Sequence, residues 1–223
     1  MATAATPSPS PNTAGSPAAE QIGLGFAEVL ALLAFHGGES APATAELLGV
    51  DRYAAVPEMV SAGVSSLVAR SFAHVDAHGE LSVEGAVAGI AVALGGAQRR
   101  MLLTLQSDAW TDRIVLLEAP EVAVLARPRA YGTWWVLPQP ADIPPAEATF
   151  HLVRGHLAEH PEGQVLVERH IEGQGVALRI RAAHDGGWLL GQVVPGTDEV
   201  ADVPADDHAL VVTLRAVRGD QMP

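Results

Sequence analysis

His156 and His160 stand one helical turn apart with Glu159 and Glu162 beside them. That spacing could seat a metal ion on one helix face. It equally describes a solvated helix end, where histidine favours the C-terminal dipole. No further ligand cluster is evident, so no metal is expected. The acid pairs Asp108/Asp112 and Asp206/Asp207 could serve acid–base chemistry, but loop aspartates are usually solvated. Trp110 lies in a polar turn between Asp108 and Asp112. An indole there is either a plug for the hairpin or an exposed anchor for a partner. In Trp134-Trp135, adjacent strand residues point to opposite faces, so one of the two belongs to a core.

Other catalytic patterns are missing. Cysteine is absent, which removes disulfides and thiolate metal sites. All 13 basic residues are arginine, so there is neither a P-loop lysine nor a Schiff base. Gly23-Leu24-Gly25 lacks the third glycine of a dinucleotide loop and is expected to open no strand–helix unit. There is no Gly-x-Ser-x-Gly elbow and no His-Glu-x-x-His. The expectation is a binding protein without catalysis and without a cofactor.

The elements that position these residues centre on Arg99 to His160. Met101–Leu105, Ile114–Leu117, Val122–Ala126 and Trp134–Leu137 are short strand runs separated by turns. Pro138, Pro140, Pro144 and Pro145 stop the last run, and Pro144-Pro145 suits a helix start. Ala146, Phe150, Val153 and Leu157 then share one helix face. This is an α+β arrangement, an antiparallel sheet with a helix laid on it.

Upstream, residues 1–20 form an Ala/Pro/Ser-rich tail expected to be disordered. Residues 21–98 read as a helical subdomain. Its helices are Gly25–Phe35, Ala43–Leu48, Tyr53–Arg70, and Val83–Leu94 with Ser82 as N-cap. Val56, Met59, Val60, Val64 and Leu67 are expected inward on the third, with Gly63 weakening it. Asp76-Ala77-His78-Gly79 is a turn. Short helices followed by a hairpin have the outline of a winged helix.

Residues 99–219 supply the sheet, forming one compact body with 21–98. Beyond His160, Val165–Ile171 is a strand. Val176, Leu178 and Ile180 alternate with Arg179 and Arg181, and His184–Gly187 turns into Trp188–Val194. Val200–His208 reads as an acidic loop. Leu210, Val212 and Leu214 read as a last strand. Hairpins around Trp110 and Trp188 echo each other loosely.

Net charge is −13, which disfavours nucleic acid and anionic membranes. Within 21–98, Arg52 and Arg70 face eight carboxylates, a poor phosphate surface. No export signal or membrane span is visible, so a cytoplasmic protein is expected.

Met59-Val-Ser-Ala-Gly-Val-Ser-Ser-Leu-Val68, a turn with Gly79, Leu81-Ser82 and the Ala/Val/Leu helix to Leu94 resemble part of the EspG family. These are ESX, or type VII, secretion-associated proteins of actinobacteria. The strand series Arg100 to Leu137, the helix to His160-Pro161 and the later hairpin continue the resemblance over about residues 25–215. It implies a largely antiparallel central sheet with helical layers and a pseudo-twofold relation. It also implies a cytosolic chaperone that covers the helical tip of a secreted helical-hairpin protein before export. The chain is shorter than that family leads one to expect, and it is very acidic. The resemblance carries over no binding residue. The loop Gln106–Asp112 is the expected docking site, with Trp110 as anchor and Asp108 and Asp112 as rim. The rival readings are a winged-helix-type transcriptional regulator and a small-ligand-binding regulatory protein.

Overall fold

A computed structural model describes residues 21–170, 177–193 and 201–220. The expected tail at 1–20 lies outside them, as do Ile171, Val176, Val194 and Val200.

Among the described residues, nine strands form one antiparallel sheet. In chain order they are β1 (Ile22–Gly25), β4 (Arg99–Gln106), β5 (Thr111–Ala119), β6 (Val122–Arg129), β7 (Thr133–Pro138), β8 (Gln164–Arg169), β9 (Ala177–Ala182), β10 (Trp188–Val193) and β11 (Asp202–Ala205). The order across the sheet is β1-β7-β6-β5-β4-β8-β9-β10-β11. A separate two-stranded hairpin joins β2 (Ala73–Val75) to β3 (Leu81–Val83).

Two helical layers cover opposite faces of opposite halves. The first holds α1 (Phe26–His36), α2 (Ala41–Leu48), α3 (Pro57–Ala69) and α4 (Gly85–Gly96). Leu30, Leu32, Leu67, Ile90 and Leu94 from these helices pack with Val115, Leu117, Val124, Ala126, Trp134 and Val136. The second layer is α5 (Pro145–Glu159) and α6 (Asp207–Arg218). Phe150, Val153, Leu157, Leu210 and Leu214 pack with Leu103, Leu105, Ile114, Leu116, Val165, Val167 and Ile180. Strand β5 serves both cores, which is why Ile114 to Leu117 are buried without alternation. A half-turn about an axis along β4 exchanges the sheet's ends and its covered faces, giving the pseudo-twofold layout.

The apolar face expected for α5 is buried in full. α3 is shorter than expected, and the chain before it makes a single 3-10 turn at Asp51–Tyr53. Leu67 is its deepest apolar side chain. Met59, Val60 and Val64 are partly buried, and Val56 caps the helix instead of joining it. Gly63 proves to be required. A Cβ there would stand 1.9 Å from the Ala27 carbonyl, so glycine permits the close α1–α3 crossing.

Four expectations are corrected. Ser82 is not a helix cap: it pairs with His74 in the hairpin, and α4 begins after Glu84. The segment Ile22–Gly25 is an edge strand on β7 that runs straight into α1, so Gly23-Leu24-Gly25 does open a strand–helix unit and Gly25 precedes the helix instead of starting it. Asp202–Ala205, within the expected acidic loop, is strand β11. Leu210–Leu214 is helix, not strand. Leu210, Leu214 and Val217 follow a helical period, Asp206 Oδ1 accepts the Ala209 N–H at 2.7 Å, and Gly219 ends the helix at φ 71°.

Candidate functional site

The β4–β5 hairpin closes over Ser107 to Trp110. The Ser107 N–H donates to the Trp110 carbonyl at 3.0 Å, and the Trp110 N–H donates to Ser107 Oγ at 3.3 Å. Trp110 is 40% exposed. Its ring lies T-shaped to those of His156 and His160, with centroids at 5.6 and 5.3 Å. The hairpin indole therefore leans on the C-terminal end of α5 and stays partly in solvent. The indole thus packs on its own fold and is also open to solvent.

His156 is buried, and its Nε2 donates to the Gln106 carbonyl at 2.9 Å. That bond ties α5 to the strand leading into the loop and takes the nitrogen away from any ligand. Among the described residues, no group of three or more His, Asp or Glu side chains is placed to hold a metal.

Asp108 is exposed at the loop tip. Asp112, two residues past Trp110, is largely covered. It binds the guanidinium of Arg127 and lies 3.7 Å from that of Arg129. Its other oxygen accepts the Arg113 N–H at 2.8 Å. Arg129 in turn lies 4.1 Å over the ring of Trp135. Trp134 is buried in the helical core, while Trp135 is 44% exposed on the opposite face. Tyr131, in the turn between β6 and β7, is 100% exposed at φ +61°. Because β4 and β6 run parallel, the Trp110 and Tyr131 turns lie at the same end of the sheet.

Arg127, Arg129 and Tyr131 were not singled out by sequence reasoning. The available signal was Arg127-Pro128-Arg129, which puts two cations on one strand face.

The other acids act structurally. Asp206 caps α6, and Asp207 accepts the Trp188 indole N–H at 2.7 Å. A cleft of ≈ 550 Å³ is lined in part by Gln98, Arg99, Glu118, Gln139 and Arg169. Its carboxylate Glu118 is already engaged, by Arg218 at 2.6 and 2.8 Å and by Arg99 at 2.9 Å. Burial works against the charge on Arg218, but the hydrogen bonds and charge of Glu118, with help from Asp220, raise its pKa above the usual arginine value. Burial likewise opposes the charge on Asp202, yet the Arg181 and Arg179 guanidiniums outweigh it and hold that carboxyl below the usual range. Both shifts belong to ion pairs that hold the fold together. In the winged-helix-like part, Arg70 is bound to Glu28 at 2.7 Å and to the Gly23 carbonyl at 2.9 Å.

No protein-family model and no curated protein sequence matches the chain. A solved structure does: the Mycobacterium tuberculosis type VII secretion system chaperone EspG5 in complex with the PE25-PPE41 dimer. Identity is 12%, the match covers 92% of this chain and 97% of that one, and the TM-score is 0.52. The fold is EspG-like along nearly the whole length of both chains. No helix among the described residues is long and apolar enough to cross a membrane.

Proposed function

We propose that the chain is a non-enzymatic cytosolic chaperone or adaptor for a helical-hairpin protein exported by a type VII secretion system. One observation carries this: an EspG-like fold matching end to end a chaperone solved with its PE25-PPE41 dimer. The site geometry supports it, since the polar side chains engaged in ion pairs and caps serve as structural ties. Docking is assigned to the end of the sheet at Trp110. The half-exposed indole is the anchor, Asp108 is the charged rim, and Asp112 fixes the loop against the strand beside it. A rigid hairpin presents these groups, and little ordering is needed on binding.

The test is a pull-down from the native host with masses read for bound proteins. A helical-hairpin export substrate supports the reading, whereas a DNA fragment supports the winged-helix alternative. Trp110→Ala then separates docking from folding. Client affinity is expected to fall by about 2 kcal/mol or more. Stability is expected to fall by only about 1 kcal/mol, because the ring's inner edge rests on two histidines. A large stability loss with unchanged affinity of the folded fraction sinks the docking role.

A further inference from the structure

We infer that the docking surface extends from Trp110 onto the open face of β5, β6 and β7, and that this face takes a carboxylate-bearing helix of the client. The inference rests on the chaperone reading above and assigns new residues to it: Arg127, Arg129, Tyr131 and Trp135.

Tyr131 is the first observation. A bulky residue at positive φ is strained, and such strain persists only where the surroundings impose it. Tyr131 is wholly exposed, so its ring returns no packing for that strain. The adjacent Gly132, at φ +65°, shows that the turn accommodates glycine. A tyrosine at 131 is explained by something that binds it from outside.

The covered side of the sheet supplies the second. Trp134 and Val136 pack against α1–α4, so Trp135 between them faces away from that layer. The second layer, α5 and α6, reaches only Leu125 on β6. Trp135 is left beyond both layers and exposed, with the half-buried Arg127 opposite it on β6. Exposed aromatics also gather at this end. Trp110, Tyr131 and Trp135 are joined by Tyr53, which packs edge-on to Phe26, the residue beneath Gly132.

Charge names the occupant. On a chain of net charge −13, this face sets the two guanidiniums of Arg127 and Arg129 around the single carboxylate of Asp112. Arg129 sits over the Trp135 ring at 4.1 Å and 3.7 Å from Asp112, so two neighbours position its guanidinium. A pre-oriented guanidinium beside an indole suits a client carboxylate flanking an apolar contact. Asp112 lies two residues from Trp110, so the face adjoins the proposed anchor along β5.

The experiment titrates the full chain with two designed helical hairpins as probes. They share an apolar tip and differ only in carrying Glu or Lys beside it. The Glu probe is expected to bind about tenfold or more tighter than the Lys probe at low salt, with the gap closing as salt rises. Arg127→Gln with Arg129→Gln should shrink the preference to about threefold or less, and Trp135→Ala should weaken the Glu probe about tenfold. Tyr131→Gly should weaken it too while raising the melting temperature, because it relieves the backbone; a purely structural tyrosine would not separate the two readouts. Equal binding of both probes, a preference for Lys, or no binding of either overturns the inference. So does a self-association of the chain that Trp135→Ala abolishes, since a second copy would then own the face. If Trp110→Ala alone removes binding while the other variants keep it, the sheet-face assignment fails and the chaperone reading stands.

Discussion

Asp202 accepts from Arg179 at 3.0 Å and also binds Arg181, reaching both across Gly191 on the intervening strand. Its folded pKa is depressed, chiefly because the hydrogen bonds to Arg181 and Arg179 outweigh its burial. A depressed carboxylate stabilises the fold above its unfolded pKa, near ~3.9, and the contribution disappears as pH falls through the folded value. Melting curves below pH ~4 should therefore show a stability loss in the parent that is smaller in Asp202→Asn. Equal acid dependence in both proteins would remove Asp202 from that limb. Glu118 makes a sharper case. Arg218 is 1% exposed and depends on Glu118 for two hydrogen bonds. Glu118→Gln should cost about 3 kcal/mol in denaturant unfolding, because a buried cation loses the nearer of its two counter-charges and keeps only Asp220 at 3.0 Å. Replacing both partners, as Glu118→Leu with Arg218→Met, should recover much of that loss; a double variant as unstable as the single would show that the pair itself, not the stranded charge, holds the site. None of this network was legible in the sequence, because Glu118 and Arg218 lie 100 positions apart and only the fold brings them together.

Helix α6 shows how one pattern can carry two periods. Leu210, Val212 and Leu214 alternate as in a strand, while Leu210, Leu214 and Val217 repeat as in a helix. The cap decides between them. Asp206 satisfies an N–H of the first turn, Gly219 takes the left-handed position after Arg218, and both signals were present to be read. Asp206→Ala should cost about 1 kcal/mol in thermal or denaturant unfolding, and an unchanged midpoint would deny the cap any energetic role. The opposite lesson comes from Gly63, whose low helix propensity pointed away from a helix that in fact forms. Propensity yields to packing here, because α1 and α3 cross too closely for a side chain. Gly63→Ala should destabilise by about 1–3 kcal/mol or more, the reverse of the sign expected for an exposed helix position. β1 was missed for a related reason. Its four residues, two of them glycine, carry little strand signal, and its backbone is secured from outside: the Gly25 N–H donates to Glu28, and Arg70 donates to the Gly23 carbonyl.

At the scale of the molecule, the two layers meet through the middle of the sheet. The strand runs from Arg99 to Leu137 were readable as short apolar, β-branched-rich stretches separated by turn residues, and the α5 stripe by its helical spacing after Pro144-Pro145. Which layer covers which face was not readable, since β5 is apolar on both. The two halves share an arginine pair on equivalent strands, although the acids they bind come from non-equivalent ones, β5 and β11. Arg127 and Arg129 on β6 close on Asp112, and Arg179 and Arg181 on β9 close on Asp202, each strand lying two places from β4. Val115 and Leu117 belong to one core and Ile114 and Leu116 to the other, so losing either layer exposes half of β5. The two layers are therefore expected to unfold together. Each core holds one buried tryptophan, Trp134 under α1–α4 and Trp188 under α6, so single-tryptophan variants can watch each core separately. Leu214→Ala, a cavity beneath α6 alone, should cost about 2–5 kcal/mol and lower the midpoint seen by Trp134 as much as that seen by Trp188. If the Trp134 midpoint stays in place while the Trp188 midpoint falls, the halves are separate folding units and the single-body reading is wrong.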